Sequence, residues 1–494
     1  MKNKKSLFIA CGAALVVAAL LAFFLLSKGG RSYTSALPSD VQAVACLDAK
    51  ALLKAADLSL SDMGQLISRF SESEESEPSG IDMTSPVYAF VDANGNTGFL
   101  SAVSSEDELQ QTLAKMQDEG RAGDVTLQRG LSWCVIDGKW LLSFDDKKAL
   151  IMGPATGDAQ DQLRNTIAEL MQQSRSDSGA KAELTELTEK ADAPLSATLS
   201  AKLLPQKLQQ TLQEWLKTET LDDVFVRLQL ATKDNVITLS ADLPNASKAV
   251  SERLDDIDDM LDPIDGNLIE YSHDNSLAWI CMNIDGKEVL EQLRSIPELR
   301  TMLVGLNLVV DVDAILRSID GDLALDIPDQ AMLMSLFGGV PPMMLTARLD
   351  DDDFLKQSSY WLESAAKNPG FRLKALSETD FSLKSGNNDI NFGVHDKVLY
   401  VNTQSRLGTN ADGHAAWDYL SKRKAAISGQ RFYAVVNVQP LSSLATAATS
   451  DKRVESLVGN IHYIEFTMPT TGRIELNIIG AEGTNIARNL LLNE

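Results

Sequence analysis

The four histidines, His273, His395, His414 and His462, set the first limit on the chemistry of this chain. None stands three or four residues from another, and no H-E-x-x-H occurs. A metal centre would therefore have to be assembled from distant segments. His395, at a hairpin, reads as a solvated turn residue. The run Asp350–Asp353 stands at a helix start, where consecutive carboxylates point in different directions. A calcium loop instead spaces its ligands and includes a turn glycine, so the run reads as a solvated cap. Asp255, Asp256, Asp258, Asp259, Asp262 and Asp265 lack that spacing too, and allow weak surface cation binding at most. Gly130-Leu131-Ser132-Trp133-Cys134 begins like a nucleophile elbow but has Cys where glycine is needed, and Ser132 reads as a strand residue. Gly29-Gly30 and Gly338-Gly339 are isolated pairs, not phosphate-binding loops. The tryptophans fall in strands (Trp133, Trp140, Trp279) or helical runs (Trp215, Trp361, Trp417) and read as core. No catalytic, cofactor-binding or metal-ligating residue is assigned, no ligand-binding residue is identified, and no cofactor is expected. Paired carboxylates need only proximity in space, so a hydrolase with a spatially assembled site stays as an alternative.

The elements that carry these residues recur. Val44–Asp48 followed by a helical run has a counterpart in Trp279–Asn283 and the run from Lys287. Leu100–Leu109 matches Leu345–Phe354: each is a strand end, an acidic helix start and an apolar anchor, and acids suit the partial positive charge of a helix amino terminus. The hairpin Cys134–Phe144, turning at Asp137-Gly138, matches Phe392–Val401, turning at His395-Asp396. Leu195–Ala201 matches Phe432–Val438. The pair Phe225–Leu230 and Val236–Ala241 matches Tyr463–Met468 and Ile474–Ile479. Five blocks in unchanged order indicate an internal duplication, with the junction near Asp262–Asn267 where Pro, Asp and Gly cluster. Strands in runs, with occasional helices, predict an α+β fold. Each half should be a mainly antiparallel sheet with helices on one face. Two segments stand outside the repeat: the acidic, Ser-rich loop 71–80 and a polar helical insertion, 157–191.

Length and charge agree with this plan. The chain has 494 residues, 44% apolar and 23% charged, with a net charge of −24. That composition excludes a mostly disordered chain, and the acidity excludes nucleic acid as a partner. Residues 1–31 hold five basic side chains and no acid, leaving −29 for the rest. Within them, Ser6–Leu26 is free of charge, and as a helix it would span roughly 31 Å, about one bilayer core. Lys2, Lys4, Lys5 and the amino terminus precede it and Lys28 and Arg31 follow it, a balance that favours an amino terminus in the cytoplasm and a body outside. The expectation is a retained single-pass anchor in a bacterial inner membrane with a periplasmic body. A cleaved signal peptide, or a lipoprotein acylated at Cys11, is the alternative. Cys46, Cys134 and Cys281 remain in the body; an odd number leaves at least one thiol free or intermolecular.

The opening of the body is Tyr33, Leu37-Pro38 and Asp40, then a short apolar strand ending in Asp48 and a Leu-rich helix. It resembles an uncharacterised family of anchored or lipidated envelope proteins of Bacteroidetes-type bacteria, known as a domain of unknown function. The resemblance implies an envelope location and architecture but no activity. The domains expected are an anchor over 1–31, a first repeat over 32–268 and a second over 269–494. The function expected is non-enzymatic binding or scaffolding, with the membrane and a protein partner or a hydrophobic ligand such as lipid as contacts.

Overall fold

The structure, a computed structural model, describes residues 31–59, 79–82, 84–173, 184–185, 188, 193–244, 247–274, 276–295, 297–328, 342–368, 370–385, 388–403, 416–441 and 459–492. The apolar stretch 6–26, most of the loop 71–80, His414 and the pair Gly338-Gly339 lie outside the described residues. Among the described residues no helix is long and apolar enough to cross a membrane. The chain is α+β, with extensive antiparallel sheet and several helices. It divides into two compact units: residues 1–251 with 482–494, and residues 252–481.

The first unit carries β1 (Val41–Leu47), β2 (Val87–Asp92), β3 (Thr97–Ala102), β4 (Thr126–Gln128), β5 (Leu131–Ile136), β6 (Trp140–Phe144), β7 (Lys148–Gly153), β8 (Leu195–Ser200), β9 (Phe225–Lys233) and β10 (Val236–Asp242). They pair antiparallel in the order β10-β9-β8-β1-β2-β3-β7-β6-β5-β4. On one face Val44, Tyr88, Phe90, Leu100, Leu141 and Leu150 pack with Tyr33 and with Leu163, Ile167 and Met171 of the helix Asp158–Gln172. On the other, Cys134, Leu142, Phe144 and Ala149 pack with Leu109 and Leu113 of the helix Glu106–Asp118. Helices therefore cover both faces, not one as the sequence suggests. The cause is that β5 to β7 are apolar in both phases of the strand alternation: neighbours Leu141 and Leu142 enter opposite clusters.

The second unit carries β11 (Leu261–Asp262), β12 (Ser276–Asp285), β13 (Ile319–Pro328), β14 (Met344–Leu349), β15 (Phe371–Ala375), β16 (Asp380–Ser385), β17 (Asn388–His395), β18 (Val398–Asn402), β19 (Phe432–Asn437), β20 (Ile461–Thr470) and β21 (Arg473–Gly480). Their order is β21-β20-β19-β12-β13-β14-β18-β17-β16-β15, with β11 on the end of β12. Apart from β11, this is the first unit's order strand for strand. The connections agree as well. Ala49–Ala55 follows β1 as Gly286–Ser295 follows β12. Glu106–Asp118 follows β3 as Ser358–Lys367 follows β14, and Asp158–Gln172 follows β7 as Asp418–Ile427 follows β18. Residues 158–172 are thus a shared element and not an insertion.

The ladders correct three alignments, one of them in the last hairpin, where Ala241, opposite Leu228, corresponds to Leu476, opposite Phe466, and not to Ile479. Cys46 pairs with Tyr88 and Tyr88 with Leu100, while Cys281 pairs with Ala324 and Ala324 with Thr346. Leu100 therefore corresponds to Thr346 and not to Leu345. The hairpin β5–β6 corresponds to β16–β17, so Phe392–Val401, which is β17–β18, lies one strand along. Its turn is Asp396-Lys397, both at positive φ, and not His395-Asp396.

The two acidic helix starts differ: Ser105 caps the first, whereas at Asp350–Asp353 the N-cap Asp352 makes no side-chain cap bond. The Ser105 side chain accepts from the Glu108 N–H, with Glu106, Asp107 and Glu108 in the first turn. At Asp350–Asp353, Asp351 accepts the Asp353 N–H and Asp353 pairs with Lys356, leading into a 3-10 turn. The helix after β10 is Lys248–Met260; from Glu252 onward it counts with the second unit, where Asp258 pairs with Arg431 at 2.7 Å. The helix after β21, Ile486–Leu492, counts with the first. There Ala487 and Leu491 pack on Leu53, Ala56, Leu58 and Ile237, and Asn485 Nδ2 donates to the Ala55 carbonyl. Cys46, Cys134 and Cys281 form no disulfide among the described residues.

Candidate binding site

The polar groups of the second unit gather on the sheet face covered by Asp418–Ile427. Asp322 and Asp326 lie four apart on β13, so both point to that face, and both are buried. Asp322 accepts the backbone N–H groups of Asp265 and Gly266 at 2.9 and 2.8 Å. Asp326 accepts the backbone N–H of His273 at 2.8 Å, faces its Nδ1 at 2.6 Å, and takes the Ser276 hydroxyl. Together they fix the segment that precedes β12. Ser276, His273 and Asp326 have the composition of a catalytic triad but not its connectivity. The serine hydroxyl ends on the aspartate, whereas a nucleophile must donate to the imidazole. The Asp326 hydrogen bond holds His273 above its ordinary pKa, against the opposing effect of burial.

Two further clusters are equally committed. Glu465 on β20 is fully buried and accepts the hydroxyls of Tyr419 and Tyr433 and the Arg423 guanidinium. Burial first, and the Glu465 charge second, push both phenols up, so both remain donors. On β16, Asp380 bonds Ser377, Tyr400 and, at 2.8 Å, His395 Nε2. His395 is therefore a bonded residue stacked on Tyr400, not a merely solvated one. Partial burial would raise the Asp380 pKa, but the Ser377 and Tyr400 hydroxyls and His395 outweigh it and hold the carboxyl low. Gly393 makes this crossing possible, because a Cβ there would stand 2.6 Å from the Asp380 oxygen and 2.8 Å from the Tyr400 ring. Among the described residues no group of three His, Cys, Asp or Glu could hold a metal ion.

Beside these clusters a cleft opens. Its volume is about 490 Å³, within the range of small-molecule sites. Leu268 and Val398 are buried in its lining, and Asp265, Glu270, Tyr271, Asp322, Arg348, Ser421 and Lys424 supply the polar surface. Arg348 donates to the Asp396 carbonyl at 3.3 Å and Lys424 to Asn267 Oδ1 at 3.2 Å, both neutral acceptors. Neither cation forms an ion pair among the described residues. Burial raises the Tyr271 pKa, and the charges of Glu270 and Asp396 add to it.

Of the cleft's residues, the sequence singles out Asp265 alone, as part of an acidic cluster read as surface. The available sign was an acid in the inward phase of a strand: Asp322, Ala324 and Asp326 share one phase, and Glu465 lies in the buried phase of β20. The sequence candidates do not converge. Ser132 is on β5, where its hydroxyl reaches Glu106 at 3.3 Å, and Asp258 pairs with Arg431.

Fold and cleft together define an antiparallel α+β protein with a polar cavity on one helix-covered sheet face. Over residues 33–413 the sequence matches the model of DUF4836, a domain of unknown function, and the chain belongs to that family. The match runs from the segment before β1 through β18 and so takes in most of both units. Solved structures of TP0453 are similar over part of the chain. Crystal form III gives a TM-score of 0.28 and 9% identity over 48% of this chain and 90% of that one. Crystal form I gives 0.27 and 11% over 48% and 88%. A likeness at that level carries no argument about fold or function. No curated protein matches the chain.

Proposed function

We propose that this chain is a membrane-anchored protein of the bacterial envelope, of the Bacteroidetes type, that works by binding and not by catalysis. Residues 6–26 are the anchor, and the body lies in the periplasm as two repeats, 32–268 and 269–494, descended from one duplicated unit. The shared strand order supports the duplication. The charge-free stretch with its basic flank supports the anchor.

The observation that carries the binding reading is the contrast on one sheet face. Ser276, Glu465 and Asp380 spend their side-chain oxygens on internal bonds. His273 is held at Nδ1 by Asp326, and the Ser276 hydroxyl is directed to the Asp326 carboxylate and the His273 carbonyl, not to the ring. The neighbouring cleft keeps two cations that form no ion pair among the described residues. Its lining joins polar and apolar surface in similar measure and carries charges of both signs, which suits a ligand with polar ends better than a plain acyl chain.

Membranes from cells expressing the full chain, washed in alkaline carbonate, test the location. The protein is expected in the washed pellet, and protease added to spheroplasts is expected to digest the body. Release of intact full-length chain by the wash, or a body protected from protease, overturns the anchored periplasmic reading.

A further inference from the structure

We propose that the cleft of the second unit binds a small zwitterion of the amino-acid or short-peptide class. This rests on reading the body as a binding module, and it is independent of how the chain is anchored.

The charges in the lining give the class. Asp322 is buried and each of its oxygens already accepts a backbone N–H, so it has little left to offer a ligand. Four exposed ionic groups remain: Arg348 and Lys424, positive, and Asp265 and Glu270, negative. None of the four is ion-paired within the described residues. A simple anion would meet two cations but also two carboxylates, and a simple cation would meet the reverse. A ligand bearing both a carboxylate and an ammonium satisfies both pairs. Buried Leu268 and Val398 provide apolar surface for a side chain, and the Tyr271 hydroxyl, held protonated, is a neutral donor.

The first unit supplies an independent observation. Its ladders place Ala102 where the second unit has Arg348, and Pro86 where it has Asp322. In the segment before β1, Tyr33 stands where Leu268 stands before β12. Tyr33 is buried, packs its ring toward Tyr88 and gives its hydroxyl to the Pro86 carbonyl. One copy of the same fold thus fills this place with an aromatic ring and lacks Arg348 and Asp322. The other keeps both and leaves a cavity. A difference confined to corresponding positions of one architecture marks the cleft as a specialised site.

Calorimetry on the full chain in detergent tests this with the dipeptide Ala-Leu, its N-acetyl form and its C-terminal amide. Saturable binding of Ala-Leu is expected, weakened at least tenfold by either blocking group and by Arg348→Gln or Glu270→Gln, because each removes a charge-assisted bond. No saturable binding of Ala-Leu overturns the assignment. Equal binding of the N-acetyl form overturns the zwitterion class, and unchanged affinity in both variants overturns the location. Mass spectrometry of the recovered ligand separates the two readings: free alanine and leucine would overturn the non-catalytic reading and leave the site standing.

Discussion

At the scale of single residues, the buried acids of the second unit govern its response to pH and to packing. His273 owes its raised pKa first to the hydrogen bond with Asp326, with burial opposing. The folded state therefore favours the protonated ring. The stability this brings is complete below the unfolded value near pH 6.5 and is lost as pH rises through the higher folded value. Urea midpoints measured at pH 5.5 and 8.5 should fall on the alkaline side, and Asp326→Asn should flatten that dependence while lowering both midpoints. A wild-type midpoint that rises toward pH 8.5 would contradict this. Gly393 is a steric matter. A methyl group there meets the Asp380 carboxylate and the Thr379 carbonyl, both at 2.6 Å, and backbone cannot swing aside. Gly393→Ala should cost about 2 kcal/mol, typical of overpacking, read as a lower urea midpoint. An unchanged midpoint would show that β16 and β17 yield freely.

Among the elements, the order of the matching blocks was legible and their register only in part: Ser196 faces Cys46 as Tyr433 faces Cys281, in agreement with the sequence alignment, while the hairpins do not agree. Alternation, turn residues and acidic helix starts located the matching blocks and their sequence. They could not distinguish one antiparallel hairpin from the next, because every hairpin repeats the same period of two. That is why β5–β6 was matched to β17–β18, and why Leu100 was set against Leu345, which a one-residue shift moves to the other sheet face. The cleft was hidden for a related reason. Its residues come from β13, β14, β18, the segment before β12 and the helix Asp418–Ile427, and lone charges in such elements look like surface. The ladders also show a cation passing between neighbouring strands. Arg348 faces Val398, and at the corresponding places Ala102 faces Lys148. Burial lowers the Lys148 pKa, so this amine is held in a place that disfavours its charge. The helix Ile486–Leu492 carries the third expectation. Its contacts with Leu53, Ala56, Leu58 and Ile237 are apolar, and Arg488 adds a bond to the Asp57 carbonyl at 3.0 Å. Deleting residues 482–494 should speed hydrogen exchange in Ala49–Ala55 and β10 while leaving β13 and β14 protected. Equal loosening of both units would refute the assignment of this helix to the first.

For the whole molecule, the division into units differs from the division into repeats. By strand order the chain is written twice, one copy after the other. By compactness, residues 252–481 are a continuous body set into the interrupted chain of the first unit. The bond from Asn485 to the Ala55 carbonyl closes a span of 430 residues. For a flexible chain, closing a loop of that size costs about 5 kcal/mol, and a folded second unit would shorten the loop and lower that cost. The interruption sets an order of events. While the polypeptide is being synthesised and delivered, β1 to β10 stand without the helix that caps Leu53 and Leu58, and they stay so until residue 492 has emerged. Through that interval the first unit presents an uncovered apolar patch. A premature stop late in the message would therefore leave Leu53, Ala56 and Leu58 without their cover, so that damage at the far end of the chain is felt near residue 55.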